Sequence, residues 1–376
     1  MKKESLGSFL GVLKMPQIKR IGVLTSGGDC AGLNAVIRAV VHRAIWTYGW
    51  EVYGILDGTD GLTFRPLRYR KMSIADFHAP YARLGGTMLG TINKGSPFAH
   101  PMPDGTTKDL TEDFGAGCRE LGLDALAVIG GDGSMAIVSR LCRGAGVTMV
   151  GIPKTIDNDT PITEHSVGFS TARDVCVEAL DRLDSTASSH HRVMICEVMG
   201  RDAGHVALHS AIAGGADVCL IPEVPYTLEG VVRKLHLVRE QGRDHALVVV
   251  AEGVKTPDGQ NISVAQVDGV RYGGIGQYLS ARLNEIDPRF STRVTVLGHV
   301  QRGGVPAAHD RLAASCFGVH AVDVLAQGKT DRMVVWKSGT ITDVGLDEVA
   351  AIGTAKVDPN GMVVKTARGL GMYIGE

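Results

Sequence analysis

The chain is 376 residues long, 44% hydrophobic and 21% charged, a globular composition with enough apolar surface for a substantial core. Its 39 basic and 40 acidic side chains leave a net charge of −1, which argues against nucleic acid or an anionic membrane as the principal partner. The 49 glycines show no Gly-X-Y period, which excludes collagen, and the longest clean apolar run, Ala246–Ala251, falls far short of the ~20 residues of a membrane span.

Residues 1–18 carry two lysines and a short apolar stretch. Glu4 interrupts the charge and no small-residue cleavage box follows, so the segment reads as an N-terminal extension rather than a secretory signal. Ile21–Thr25 is a short apolar strand running into Ser26-Gly27-Gly28-Asp29, after which Leu33, Ile37, Val40, Val41 and Ala44 recur at helical spacing. Val52–Leu56 reads as a second strand. Ala125–Ile129 reads as another, ending in Gly130-Gly131-Asp132-Gly133-Ser134 with a helix from Met135. Thr148–Ile152 ends in Pro153-Lys154-Thr155-Ile156-Asp157-Asn158-Asp159. A helix near Thr171–Leu183 leads to a strand Arg192–Val198, which ends in Met199-Gly200-Arg201. Val218–Ile221, Leu247–Ala251 and Val294–Leu297 are further strands, and Leu312, Cys316, Val319 and Val322 mark a late helix. The seven cysteines are widely spaced, odd in number and form no CxxC, so they read as buried reduced thiols of a cytoplasmic protein rather than a disulfide frame or zinc site.

Strands alternating with helices imply βαβ units, and the strand count is too large for one minimal sheet. The expected fold is therefore α/β: two Rossmann-like lobes with mostly parallel sheets and an active-site cleft between them. Every glycine- or charge-rich cluster stands at the carboxyl end of a strand, where such sheets bind ligands.

Gly131–Ser134, between a strand and a helix, can present backbone N–H groups and a positive helix terminus to phosphate, with Asp132 placed to hold Mg²⁺. A tight capped turn has the same composition, but Ser26–Asp29 repeats the pattern after another strand. Asp157 and Asp159 stand at i and i+2, and on an extended backbone they point to one side, one as base and the other toward the metal. An Asx-rich turn is the plain alternative. Arg201, His299 and Arg302 offer donors at strand ends. Arg192 and Arg293 precede their strands, on the wrong side of the sheet for the cleft, and read either as partners of a solvated or interface salt bridge or as groups that would reach a phosphate only across a subunit contact. Together these groups describe phosphoryl transfer without a Walker A sequence or a protein-kinase motif set.

Ten segments in order over residues 19–335 resemble the 6-phosphofructokinase family, most closely its cyanobacterial ATP-using members. Among them are Val23–Asp29, Gly85–Thr91, Ile129–Ser134, Pro153–Asp159, Arg192–His205 and Val296–Gly304. The resemblance implies transfer of a phosphoryl group from ATP-Mg²⁺ to the 1-hydroxyl of fructose 6-phosphate. It implies Gly28, Lys94, Gly131, Asp132, Gly133 and Ser134 at the nucleotide, with Asp132 on Mg²⁺. Asp157 would be the general base, Thr155 would contact the moving phosphoryl group, Asp159 would support metal and base, and Arg201 would stabilise the transition state. Thr155, Ile156, Met199, Gly200, Glu252, His299, Val300, Gln301 and Arg302 would line the sugar site. Arg192 and Arg293 would reach the sugar's phosphate from a neighbouring subunit of a homotetramer or homodimer. The implied lobes are 19–168 with 300–350 for the nucleotide and 169–299 with 351–376 for the sugar phosphate.

Departures from the family pattern concern the donor and regulation. Lys94 stands where many bacterial members carry Arg, and Thr59 replaces an aromatic near the adenine. Arg38 is kept, but His42 and Asp184 replace basic residues of the bacterial effector site, which puts that mode of regulation in doubt. Gly133 leaves room for the α-phosphate of ATP, whereas Lys154 is a mark of pyrophosphate users. ATP is the expected donor and pyrophosphate the alternative. NAD and lipid kinases share GGDG but lack the Pro153–Asp159 and Met199–Arg201 segments. A non-catalytic sensor would have lost Asp132, Asp157 or Arg201.

Overall fold

A computed structural model describes residues 18–77, 79–93, 95–266 and 269–375. The chain begins with β1 (Arg20–Thr25), α1 (Leu33–Tyr48), β2 (Glu51–Ile55), the one-turn α2 (Asp60–Thr63) and β3 (Tyr69–Met72). A small hairpin, β4 (His100–Pro101) and β5 (Thr107–Lys108), precedes α3 (Thr111–Leu121), β6 (Ala125–Gly130), α4 (Asp132–Ala145) and β7 (Thr148–Thr155). The short β8 (Val167–Gly168) opens into the long α5 (Phe169–His190), followed by β9 (Val193–Val198), α6 (His205–Ala213), β10 (Val218–Leu220), α7 (Leu228–Glu240) and β11 (Ala246–Ala251). A second hairpin, β12 (Ser263–Gln266) and β13 (Gly269–Tyr272), leads to α8 (Ile275–Ile286), β14 (Thr292–Val296) and α9 (Ala308–Ala326). β15 (Arg332–Lys337), β16 (Thr340–Gly345), α10 (Leu346–Ile352) and α11 (Met362–Gly369) follow.

The strands form two main sheets. The first runs β16-β15-β7-β6-β1-β2-β3, with β8 added beside β7; it is parallel inside and antiparallel only at its two outer pairs. The second, β10-β11-β9-β14, is parallel throughout. Helices cover both faces of such sheets, so interior strands are apolar without alternation: every residue of β6 and of β11 is buried. On the first sheet α1 packs along α9 over one face, and α3 with α4 covers the other.

Several boundaries differ from the periodicity reading. The helix after β6 begins at Asp132 rather than Met135, because the glycine-rich segment itself forms its first turn. β7 extends to Thr155, since β8 supplies a partner for Lys154 and Thr155 that lies 13 residues further on. β14 begins at Thr292, so Arg293 lies inside the strand, in register with Met194, and not before it.

Strand order decides where a site can form. The chain leaves β1 for β2 on one side and returns to β6 on the other, so the segments after β1 and β6 diverge and leave a crevice. In the second sheet β9 is flanked by β11 and β14, so its end opens the corresponding gap.

Candidate active site

The first crevice is built from below. Ser26 N–H donates to the Ile129 carbonyl at 2.9 Å and Gly27 N–H to the Ile92 carbonyl at 2.8 Å. The loop's own carbonyls are engaged by donors: Thr91 Oγ1 on Gly27 at 2.6 Å, Lys154 Nζ on Gly28, and Arg302 Nη1 on Asp29 at 3.0 Å. Gly27 has φ +85°, and a Cβ there would stand 2.7 Å from Ser134 Oγ, so only glycine brings this loop against α4. Beside it, Gly131 is the N-cap of α4, whose first-turn N–H groups make an anion-facing terminus. Asp132 Oδ1 accepts the Gly133 N–H at 2.7 Å. Apart from its chain neighbours and the backbone of α4 itself, no heavy atom of the described residues lies within 4 Å of the place a Gly133 Cβ would take, so that space is open. Lys94 lies outside the described residues.

Lys154 is buried, which lowers its pKa, and its ammonium donates to the Gly28 carbonyl beneath the loop. Pro153–Asp159 is extended only as far as Thr155. β7 ends at Thr155, and Asn158 takes φ +51°, so the segment turns. The turn still brings the two carboxylates into electrostatic contact. Thr155 Oγ1 accepts the Asp157 N–H at 3.0 Å. Asp157 is buried, and its Oδ1 has no hydrogen-bond partner among the described residues. Burial first, then the charge of Asp159 and more weakly Glu252, pushes its pKa up to about 6 against the pull of Arg302 and Arg201. Asp159 is also raised, by burial and then by Asp132, while a hydrogen bond with Thr155 draws it back. Its carbonyl accepts the N–H of Ala355 at 2.7 Å, a contact from the C-terminal segment that no motif announced.

At the end of β9, Gly200 (φ +149°) and Arg201 (φ +49°) turn the chain sharply. Arg201 N–H donates to Glu252 Oε1 at 3.2 Å, which ties this turn to the segment after β11. Ile156 and Met199 have buried side chains, so they offer a cleft only backbone, whereas His299 and Val300 are exposed. Gln301 corrects an expectation. It is 1% exposed, and its amide is occupied by the Met199 N–H (2.8 Å) and the Ala172 carbonyl (3.4 Å), so it positions Met199 rather than meeting a ligand. Another contact missed by sequence reasoning is Glu223, which accepts the N–H groups of Gly204 and Val357. A carboxylate joining two distant loops leaves no local pattern in the sequence.

Arg192 and Arg293 are not brought to this cleft. Arg192 immediately precedes β9 and Arg293 pairs beside it, while Met199–Arg201 follow the strand's other end. The six residues of β9 separate them by about 20 Å at ~3.3 Å per residue.

Among the described residues no cluster of three or more His, Cys, Asp or Glu side chains could hold a metal ion alone. Asp132 and Asp159 do oppose like charges near the crevice, and Asp132's charge helps to raise the pKa of Asp159. This suits a cation that keeps most of its shell from phosphate and water, as Mg²⁺ does. No helix among the described residues is long and apolar enough to cross a membrane.

The phosphofructokinase family model matches residues 20–325. The chain is 53% identical over 363 residues to ATP-dependent 6-phosphofructokinase 1 of Synechocystis sp., covering 96% of this chain and 99% of that one. It is likewise 53% identical over 365 residues to ATP-dependent 6-phosphofructokinase 1 of Nostoc sp., covering 96% and 100%. Among solved structures, Saccharomyces cerevisiae phosphofructokinase superposes with a TM-score of 0.75 at 29% identity, covering 94% of this chain and 46% of the yeast chain. A pyrophosphate-dependent phosphofructokinase from Marinobacter aquaeolei gives 0.73 at 22% identity, covering 96% and 89%, a likeness of fold. A family match over most of the length, carried by relatives with more than half their residues identical, makes this chain a member of the phosphofructokinase family.

Proposed function

We propose that this chain transfers the terminal phosphoryl group of ATP to the 1-hydroxyl of fructose 6-phosphate, giving fructose 1,6-bisphosphate and ADP, a glycolytic step. The observation that carries the reading is Asp157, a buried carboxylate with one unpartnered oxygen and a pKa of about 6, which suits a general base near neutral pH. Asp157 accepts the hydroxyl proton. Arg201 meets the charge of the transferring group, Thr155 orients it, and Asp159 holds Thr155. The loop around Gly28 and the first turn of α4 (Gly131–Ser134) bind the nucleotide phosphates, with Lys94 adding charge. Glu252, His299 and Arg302, with the backbone of Ile156, Met199, Gly200 and Val300, bind the sugar. Asp132, supported by Asp159, would hold Mg²⁺, which neutralises phosphate charge when bound.

Two observations favour ATP over pyrophosphate. The space at Gly133 is open, and the Lys154 ammonium already donates to the Gly28 carbonyl. The lobes are taken as 19–168 with 300–350 and 169–299 with 351–376, each holding one main sheet. Arg192 and Arg293 serve the fructose 6-phosphate site of a neighbouring subunit, which makes a homodimer or homotetramer part of the cytoplasmic enzyme. The test is turnover of fructose 6-phosphate with ATP-Mg²⁺, with pyrophosphate-Mg²⁺ and with neither. Preference for ATP is expected; preference for pyrophosphate would reverse the donor, and no turnover would remove the reading.

A further inference from the structure

Asp310 is 1% exposed and lies in the first turn of α9, and its hydrogen bonds go to Gly168 and Thr171, neither of which is given a catalytic role above. Its carboxylate accepts three hydrogen bonds from a segment about 140 residues earlier in the chain. Oδ1 takes the N–H of Gly168 at 3.0 Å, and Oδ2 takes the N–H and the hydroxyl of Thr171 at 2.7 and 2.5 Å. Thr171 Oγ1 accepts in turn from the N–H of Ala307 at 2.9 Å, which closes the ring.

Gly168 is the N-cap of α5 and has no side chain to cap it. Asp310 therefore satisfies orphan N–H groups of that 22-residue helix from another element and places negative charge at its positive end. The same Gly168 belongs to β8, where it pairs with Thr155, and Val167 pairs with Lys154. From the other side Cys30 Sγ donates to the Val167 carbonyl at 3.3 Å, and a Cβ on Gly168 would stand 2.5 Å from that sulfur. β8 is thus held between the phosphate loop, Asp310 and the strand that ends at Thr155. One turn further along α5, the Ala172 carbonyl meets Gln301, whose oxygen holds the Met199 N–H.

We propose that Asp310 is a positioning residue. Its ionised carboxylate fixes β8 and the start of α5, and so sets Thr155 and Asp157 against Met199–Arg201 across the cleft. It touches no substrate. Three donors require an acceptor without a proton, so Asn, which turns an NH₂ toward one of them, cannot replace it. The kinetic part of this inference rests on the proposed reaction.

The test compares full-length wild type, Asp310→Asn, Thr171→Val and Thr171→Ser by steady-state kinetics and by hydrogen exchange over residues 153–160. Asp310→Asn and Thr171→Val are expected to lower kcat about tenfold or more while both KM values stay within about threefold, with faster exchange over 153–160. Thr171→Ser keeps the hydroxyl and should stay within about twofold of wild type. A kcat within twofold of wild type in the first two variants despite lower melting temperatures would leave Asp310 a mere helix cap and overturn the proposal. Unchanged exchange over 153–160, or a Ser variant as impaired as Val, would do the same. Where Asp310→Asn does not fold, Thr171→Val decides. Should wild type not phosphorylate fructose 6-phosphate, the functional reading fails, and the exchange comparison alone judges the positioning role.

Discussion

Asp157 combines two properties that pull in opposite directions. Burial makes its charge costly, and the same burial brings its pKa to about 6, close to the pH at which a base must work. In the proposed role as general base, the ionised form is the active one. kcat is therefore expected to fall about tenfold per pH unit below roughly pH 6, measured with both substrates saturating the pH-stable wild type. Asp157→Asn removes proton acceptance and should cut kcat by about 10²–10⁴-fold with sugar affinity changed far less. A kcat within about threefold of wild type would refute the assignment. Stability should move the other way. A carboxyl whose folded pKa lies above its unfolded value binds more protons when folded, so it loses stability as pH rises from 3.8 through about 6. At pH 7–8 the Asn variant escapes a penalty of up to about 3 kcal/mol, and its melting temperature should equal or exceed that of wild type. Gly133 is the other residue-scale lever. Its Cβ position meets no atom of another element among the described residues, so Gly133→Asp should fold normally and act on ligands alone. At least about a tenfold loss in kcat/KM for ATP, roughly 1.4 kcal/mol, is expected, with pyrophosphate use flat or higher. Unaltered ATP kinetics would show that the α-phosphate does not pass there.

At the scale of elements, the site depends on strand ends that press against one another. A Cβ on Gly253, after β11, would stand 1.9 Å from the Arg201 carbonyl after β9. Both partners are backbone, so neither yields by rotating a side chain. Gly253→Ala should displace Arg201 from the Glu252 contact. We expect kcat/KM for fructose 6-phosphate to drop at least about tenfold with KM for ATP nearly unchanged, because the phosphate loop belongs to the other sheet. Equal losses for both substrates would point instead to general unfolding, which a melting curve would reveal.

At the scale of the whole molecule, the placement of Arg192 and Arg293 bears on how subunits assemble. They lie at the far end of β9 from Met199–Arg201. If they serve a neighbour's site, Arg192→Ala and Arg293→Ala should each raise KM for fructose 6-phosphate about tenfold or more, since each removes a charge-assisted contact to phosphate. Mixing Asp157→Asn protein with Arg293→Ala protein should restore part of the activity, because one interface of a mixed oligomer can pair two intact halves. Absence of recovery after verified subunit exchange would place those arginines outside the site.

The local sequence determined much of this protein. Apolar runs ending in Gly-rich or acidic clusters located the strands and their carboxyl ends, because burial on both faces and close backbone approach are properties of short segments. The positions of Asp157, Asp132, Arg201 and Gly133 beyond strand ends were legible for that reason. What the sequence left open depends on contacts between distant segments. Thr155 lies in a strand only because β8 pairs with it, Gln301 proved to be spent on Met199 and Ala172, and Lys154 donates to the Gly28 carbonyl. Nor does local pattern reveal that Asp310 caps a helix some 140 residues away or that Ala355 holds Asp159. A buried polar group takes whatever partner the fold brings within about 3 Å, and that choice belongs to the tertiary structure.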